Sequence, residues 1–402
     1  MKMKWVVFLG LSLLGASPAA ASPLQMFGFG GRSPGMGATG VSTCDGFDCV
    51  YLNPAGLADL RRKRFSAGTL LGDFELDGVD RPIDAATGVE LGGAVPIPLG
   101  GALRDRVGLA FGLYIPTSVL NRARTPEYGT PFYVLLENRA QVVGLQFGVG
   151  VRLSERWSVG AGLLALAALR GRIEIRADAA GRFATTSEQQ LIAAYSPIVG
   201  GRWRMRDDLQ LGLSARLAAR SSFDIVLQPD FGAALPLDLP ELRIAGTAQY
   251  DPLAAALEVA WRPRARLLLT GQLAWEHWSA FPHPAENVVE RMPDRESTGF
   301  HDTVVPRLGA EWSHAIGRFL LSLRGGYFFA LSPASGDSSR QGFLDNHRHA
   351  FSAGIGFDDP TSRFPLHVDL WFQAHLLMPR DHGGVETSGA IWVGGLILGV
   401  DL

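Results

Sequence analysis

Lysine is almost missing from this chain of 402 residues: it stands only at positions 2, 4 and 63, and arginine carries the rest of the positive charge. Cysteine is scarcer still, at Cys44 and Cys49 alone. Long apolar runs are also lacking. The one apolar stretch, Trp5 to Leu14, falls well short of the ~20 residues a membrane-crossing helix needs. With 39 acidic against 37 basic residues there is no basic excess, which excludes nucleic acid as a partner. A zinc site would need two ligands beyond the cysteine pair, and no histidine lies near it. No linker, low-complexity tract or propeller-like repeat of about 40 to 50 residues divides the chain, so a single large architecture is expected.

What is present begins with a leader. Lys2 and Lys4 precede the apolar stretch, and Ala19-Ala20-Ala21 follow it, the pattern of a secretory signal peptide over residues 1–21. Export beyond the inner membrane permits disulfides, so Cys44 and Cys49 are read as a bonded pair closing a small loop.

From Arg64 onward the sequence alternates apolar and polar residues in short runs. In "LLLTGQLAWEHW", Leu267, Leu269, Leu273 and Trp275 fall on one side and Thr270, Gln272 and Glu276 on the other. Fourteen such segments are read between residues 64 and 402, two of them over 208–228 and 242–262. Their connections alternate in length: Ser154-Glu155, Met205-Arg206-Asp207, Pro263-Arg264 and Ile316-Gly317 are short, whereas Thr117 to Asn138 and Ala280 to His301 are long. Strict alternation puts every short turn at one end of an up-and-down sheet. An all-β transmembrane antiparallel barrel of about 14 strands in the outer membrane of a Gram-negative bacterium is the expected fold. Hydrocarbon offers no hydrogen-bond partners, so a spanning sheet must close on itself.

The alternation also assigns faces. Leu366, Val368, Leu370, Phe372 and Leu376 point to lipid, and His367, Asp369, Gln373 and His375 to the lumen. Arg216, Arg266, Glu276, Arg307, Glu311 and Arg324 are further lumen residues. A hydrated network of opposite charges accounts for them; the sharper reading has arginines, Arg216 and Arg324 among them, holding an acidic headgroup. Trp157, Trp275, Trp312 and Tyr327 suit interfacial girdles.

A wide barrel must have its lumen filled or leave a pore. Residues 22–63 precede the barrel of 64–402 and are rich in glycine, which suits a compact plug lying close to other backbone. The order "GFGGRSPGMGATGVS…VYLNPAGLADL" resembles the N-terminal hatch of the FadL family of outer-membrane transporters for long-chain fatty acids, relatives of which carry aromatic hydrocarbons. "GLAFGLYIPTSV", "AWEHWSAF", "FHDTVVPRLGAEW" and "LDNHRHAFSAGIGF" are similar to that family's third strand and later strand starts and ends. The cysteine pair and the non-aromatic last residue, Leu402, depart from the family's pattern.

The resemblance implies capture of a hydrophobic compound, most simply a fatty acid, at external loops, passage to a lumen pocket, and release once the hatch rearranges. Asn53, Pro54, Ala55 and Gly56 then belong to the gating turn, and Gly108 and Gly112 to a kink through which ligand leaves sideways. Phe27, Phe29, Phe132, Tyr133, Phe183 and Phe231 are candidate ligand contacts. A monomer in outer-membrane lipid, inserted by the barrel assembly machinery, is expected; no cofactor or metal is. A porin for polar solutes is the alternative function, and an aromatic hydrocarbon the alternative cargo. Enzymatic activity is not expected: His347 and His349 flank Arg348, but no motif sets a nucleophile against them.

Overall fold

The computed structural model describes residues 23–79, 83–117, 130–136, 143–177, 183–230, 241–284 and 297–402, so the expected signal peptide lies outside the described residues. Sixteen strand segments make one sheet: β1 (Arg64–Asp77), β2 (Ala86–Ile97), β3 (Val107–Pro116), β4 (Gly144–Arg152), β5 (Trp157–Ala177), β6 (Phe183–Arg206), β7 (Leu209–Arg216), β8 (Ala219–Asp230), β9 (Leu242–Asp251), β10 (Ala254–Arg264), β11 (Leu267–Glu276), β12 (Thr303–Ile316), β13 (Phe319–Ala330), β14 (Arg348–Asp359), β15 (Leu366–Asp381) and β16 (Glu386–Asp401). β1 pairs with β16, and β4 with β5, so the wall closes. Fourteen segments form that wall, because β7 pairs directly with β10 and leaves the β8–β9 hairpin outside it.

The segments expected over 208–228 and 242–262 are therefore each bent in two. The break has a local cause. Pro252 has no N–H with which to continue the ladder, and at Leu217 the chain crosses onto its neighbours: Leu217 N donates to Pro197 O at 3.0 Å. β8 then runs parallel to the outer part of β5, from Leu169 opposite Phe223 to Arg176 opposite Asp230. β5 has 21 residues. At ~3.3 Å per residue it runs about 70 Å, far beyond the roughly 25 Å apolar band of such barrels.

Facing follows the alternation. Leu366, Leu370, Phe372 and Leu376 of β15 are exposed, while Gln373 and His375 are fully buried in the lumen. Trp157, Trp275 and Trp312 face outward, Trp157 stacking on Trp203 at 5.0 Å. Arg266 is the exception among the expected lumen residues: it sits in the β10–β11 turn, exposed, with Nη1 3.2 Å from His314 Nδ1.

Residues 23–63 lie inside the wall as short helices α1 (Pro23–Phe27), α2 (Arg32–Gly35) and α3 (Cys49–Leu52), and a 3-10 turn (Pro54–Asp59). Almost all of them are buried. The segment enters at the end where the C-terminus closes, Leu402 N donating to Lys63 O at 2.8 Å. Backbone meets backbone at Gly37 and Gly326: a Cβ on Gly326 would lie 2.1 Å from Gly37 N, so the wall tolerates no side chain there. Cys44 and Cys49 form a disulfide with 5.3 Å between Cα atoms, wholly within this hatch.

Candidate functional site

Backbone and side chains of the hatch share its docking to the wall. Gly40 N, Val41 N and Ser42 N, with Ser42 Oγ, all donate to the buried Glu258 carboxylate of β10, at 2.6, 2.9, 3.1 and 2.5 Å. Gln373 Nε2 donates to Phe27 O and Pro34 O, each at 2.9 Å. Arg32 grips Glu311 with two bonds of 2.8 and 2.7 Å, and Arg324 bonds the same carboxylate at 2.8 Å while also pairing with Asp369. Asn53 caps the 3-10 turn by accepting from Ala55 N at 3.1 Å. Its Nδ2 donates to Val41 O, Gly201 O and Leu213 O at 2.7, 3.1 and 3.3 Å, stitching the turn to β6 and β7. Burial, aided by the charge of Asp45, pushes the hatch carboxyl of Asp48 up to about 6.

Above the hatch is a small cavity of about 70 Å³ where Gln25, Tyr51, Arg216, Gln272, Glu276 and Arg307 meet. A second space of about 30 Å³ adjoins it through Gln25, Glu276 and Arg307, and adds Asp345 and Arg348. Three guanidinium groups thus face two carboxylates. Glu276 is already engaged, accepting from Gln25 Nε2 at 2.7 Å and Trp278 Nε1 at 2.8 Å, and stands 3.9 Å from Arg307. The Nε atoms of Arg216, Arg307 and Arg348 are buried without a hydrogen-bond partner. Unpaired donors in such a place are costly, so an incoming anion would find them ready to bind. Tyr51 lies under Arg216, 4.2 Å from guanidinium carbon to ring centre, and Phe328 under Arg307 at 4.9 Å.

Apolar packing flanks this polar centre. On one side Met26 and Phe27 of the hatch join Leu70, Phe74, Tyr133, Leu344 and Trp371. Across the external end Val134, Leu135, Tyr250, Trp278, Phe281, Phe300 and Phe343 form a lid.

Residues 12–370 match the family described as outer membrane protein transport protein (OMPP1/FadL/TodX). The chain belongs to the OMPP1/FadL/TodX family. It is accordingly an outer-membrane barrel. Its fold is similar to that of a Pseudomonas aeruginosa FadL homologue, at a TM-score of 0.60 and 14% identity over 96% of this chain and 99% of that one. The Ralstonia pickettii toluene transporter TbuX follows at 0.58 and 13% over 94% and 100%, and the Pseudomonas putida toluene transporter TodX at 0.55 and 14% over 96% and 99%. No curated protein matches the sequence.

Within this FadL-like frame the residues singled out from sequence separate. Asn53, Pro54, Ala55 and Gly56 are all buried at the hatch–wall contact, where a Cβ on Gly56 would lie 2.6 Å from Cys49 Sγ. Phe27 is fully buried between hatch and external loops, edge-on to His375 with 5.5 Å between ring centres. Phe29 is instead fully buried between the hatch and the wall, against Phe47 at 5.0 Å and Tyr51 at 6.2 Å on one side and β3 on the other. Tyr133 is fully buried and Phe132 packs on Phe343 at 5.7 Å, both beneath the external loops. The backbone of Phe183 begins β6 at the far tip of the β5–β6 hairpin, opposite Ala177, and Phe231 lies outside the described residues.

Arg216 reaches the cavity; Arg324 does not, because Glu311 and Asp369 consume it in the hatch contact. At Gly108 and Gly112 the structure gives another reason for glycine. β3 pairs without a register shift, from Val107 to Pro116 with β2 and from Val107 to Tyr114 with β4. A Cβ at Gly108 would lie 2.0 Å from Leu57 O, and one at Gly112 would lie 2.8 Å from the Phe29 ring, so both make room for the hatch. Glu258 and Arg348 were not singled out. For Glu258 the signal was present: one acid in the inward row Ala254, Ala256, Glu258, Ala260, while Leu257, Val259 and Trp261 face outward.

Proposed function

We propose that this protein carries hydrophobic compounds with an acidic head, most simply long-chain fatty acids, across the outer membrane. Ligand is captured among the apolar external loops, its carboxylate is met by Arg216, Arg307 and Arg348 in the lumen, and it leaves once the hatch shifts. The observation that carries this is the trio of guanidinium groups with buried, unpartnered Nε atoms beside a run of apolar side chains reaching the surface loops. An apolar tail gains about 0.8 kcal/mol for each methylene kept from water, which favours a route lined by such residues. Lateral release through β3 would require the ladder to open on ligand binding, since every pair from Val107 to Tyr114 is made here.

A neutral aromatic hydrocarbon is the second reading. The likeness to the toluene transporters TbuX and TodX and the small cavity favour it. The porin reading has little support, because the hatch occupies the lumen where an open channel would run.

The test is binding of labelled oleate and of toluene to wild type and to Arg307→Met and Arg348→Met. Losing a charge-assisted hydrogen bond is expected to weaken oleate binding about tenfold or more while sparing toluene. Unchanged oleate binding in both variants would reject the acidic-head reading.

A further inference from the structure

Three adjacent strands, β7, β10 and β11, line two separate cavities on their inward rows. Ser214, Ala256 and Gln272 face the upper cavity described above. Gln210, Ala260 and Leu268, four residues further along the same rows, face a lower one of about 220 Å³ that opens among the periplasmic turns. One layer separates them. It consists of Gly212, Glu258 and Thr270 from the wall and Thr39 to Ser42 from the hatch. Thr39 Oγ1 and Thr270 Oγ1 are 2.9 Å apart, and Glu258 fills the nest made by the amides of residues 40–42.

That nest is an anion site. Gly40 has φ of +151°, which helps successive N–H groups converge on one carboxylate, and a Cβ there would lie 2.8 Å from Leu52 Cδ1. Its occupant comes from the wall, so the same four bonds that satisfy Glu258 also shut the layer. Below it, buried Arg202 lines the lower cavity. Its Nη2 bonds Cys44 O at 2.5 Å, its Nε has no partner, and no carboxylate ion-pairs with it among the described residues.

We infer that Glu258 in the Gly40–Ser42 nest is the gate of a route through the barrel to the periplasm along β7, β10 and β11, opened when a ligand carboxylate takes the place of Glu258. Exchange of one carboxylate for another leaves every nest donor paired, so opening avoids the cost of stranding four buried donors. Guanidinium groups wait on both sides: Arg216 and Arg307 above, Arg202 below. The gate itself stands on geometry alone; its opening by carboxylate rests on the acidic-head reading above. This exit needs no break in the strand wall.

The experiment measures steady K⁺ conductance of wild type, Glu258→Ala and Gly212→Ala in planar bilayers, with and without octanoate. Heat-modifiable gel mobility confirms that each barrel is folded. Gly212→Ala keeps Glu258 and acts from the facing strand, since a Cβ there would lie 2.6 Å from Ser42 Cα. Should Glu258→Ala fail to fold, Ser42→Ala, which removes only the shortest of the four bonds, that from Ser42 Oγ at 2.5 Å, takes its place. A rise of about tenfold or more is expected in each folded variant, as loss of a charge-assisted hydrogen bond shifts a closed–open equilibrium. Octanoate is expected to raise wild-type conductance and to leave Glu258→Ala unchanged. Wild-type conductance in all folded variants overturns the gate, as does an octanoate response undiminished in Glu258→Ala. Raised variants with a wild type silent to octanoate support the gate and overturn its opening by carboxylate; oleate binding run in parallel then shows whether the acidic-head reading has failed with it.

Discussion

Replacing Asn53 by alanine is expected to loosen the hatch and leave the barrel intact. Asn53 is fully buried and holds four bonds: it caps the 3-10 turn through Ala55 N, and reaches Val41 O, Gly201 O and Leu213 O. Losing the cap costs about 1 kcal/mol. Leaving buried carbonyls short of a donor adds about 1–3 kcal/mol, so docking weakens by roughly 2–4 kcal/mol. At 1.4 kcal/mol per tenfold, the undocked population grows roughly 30- to 700-fold. Hydrogen exchange read by mass spectrometry reports this directly, because amides that exchange through local opening accelerate by the same factor. Amides of residues 40–59 should speed up while those of β12 to β16 stay protected. Gly200→Ala should act alike from the wall, since its Cβ would lie 1.9 Å from Asn53 Oδ1. Hatch exchange unchanged by Asn53→Ala, or equal acceleration in hatch and strands, would refute a docking role for this residue.

Three further outcomes are expected. Replacing Cys44 and Cys49 by serine should raise conductance more than it lowers the melting temperature, because the disulfide lies within the hatch and outside the sheet; equal effects would count against this. Asp48 has its carboxyl raised from 3.8 to about 6, so the docked hatch binds the extra proton and loses stability as pH rises through that window. Hatch protection factors, corrected for the intrinsic rise of amide exchange with pH, should therefore fall between pH 4 and about pH 6, and Asp48→Asn should flatten that dependence. Gly108→Ala should displace the 3-10 turn, its Cβ lying 2.0 Å from Leu57 O, and speed hatch exchange without disturbing the β3–β4 pairing; wild-type exchange would show that the turn yields freely.

Facing and strand direction were legible in the sequence because both are written in neighbouring residues: two-residue alternation separates Leu370 from Asp369, and turn length separates Ser154-Glu155 from the loops opposite. The bend of β7 into β8 was not, although Pro252 marked its partner, because the break depends on where Leu217 meets Pro197 across the sheet. Depth was equally hidden. Alternation puts Arg216, Arg266 and Arg324 on one kind of face but does not say that one lines a cavity, one sits in a turn and one is spent on Glu311 and Asp369. The wall glycines could be misread for the same reason. Gly108 and Gly112 suit a kink when β3 is viewed alone, and only the hatch shows what they clear.

Under the proposed function, an apolar ligand with an acidic head uses a barrel otherwise closed by its hatch. That function is tested by competition between labelled oleate and toluene for the purified protein in liposomes, alongside ion conductance in a planar bilayer. Saturable oleate binding with little conductance is the predicted result, and displacement by toluene would widen the cargo. Steady conductance without binding of either compound would instead make the protein an open pore.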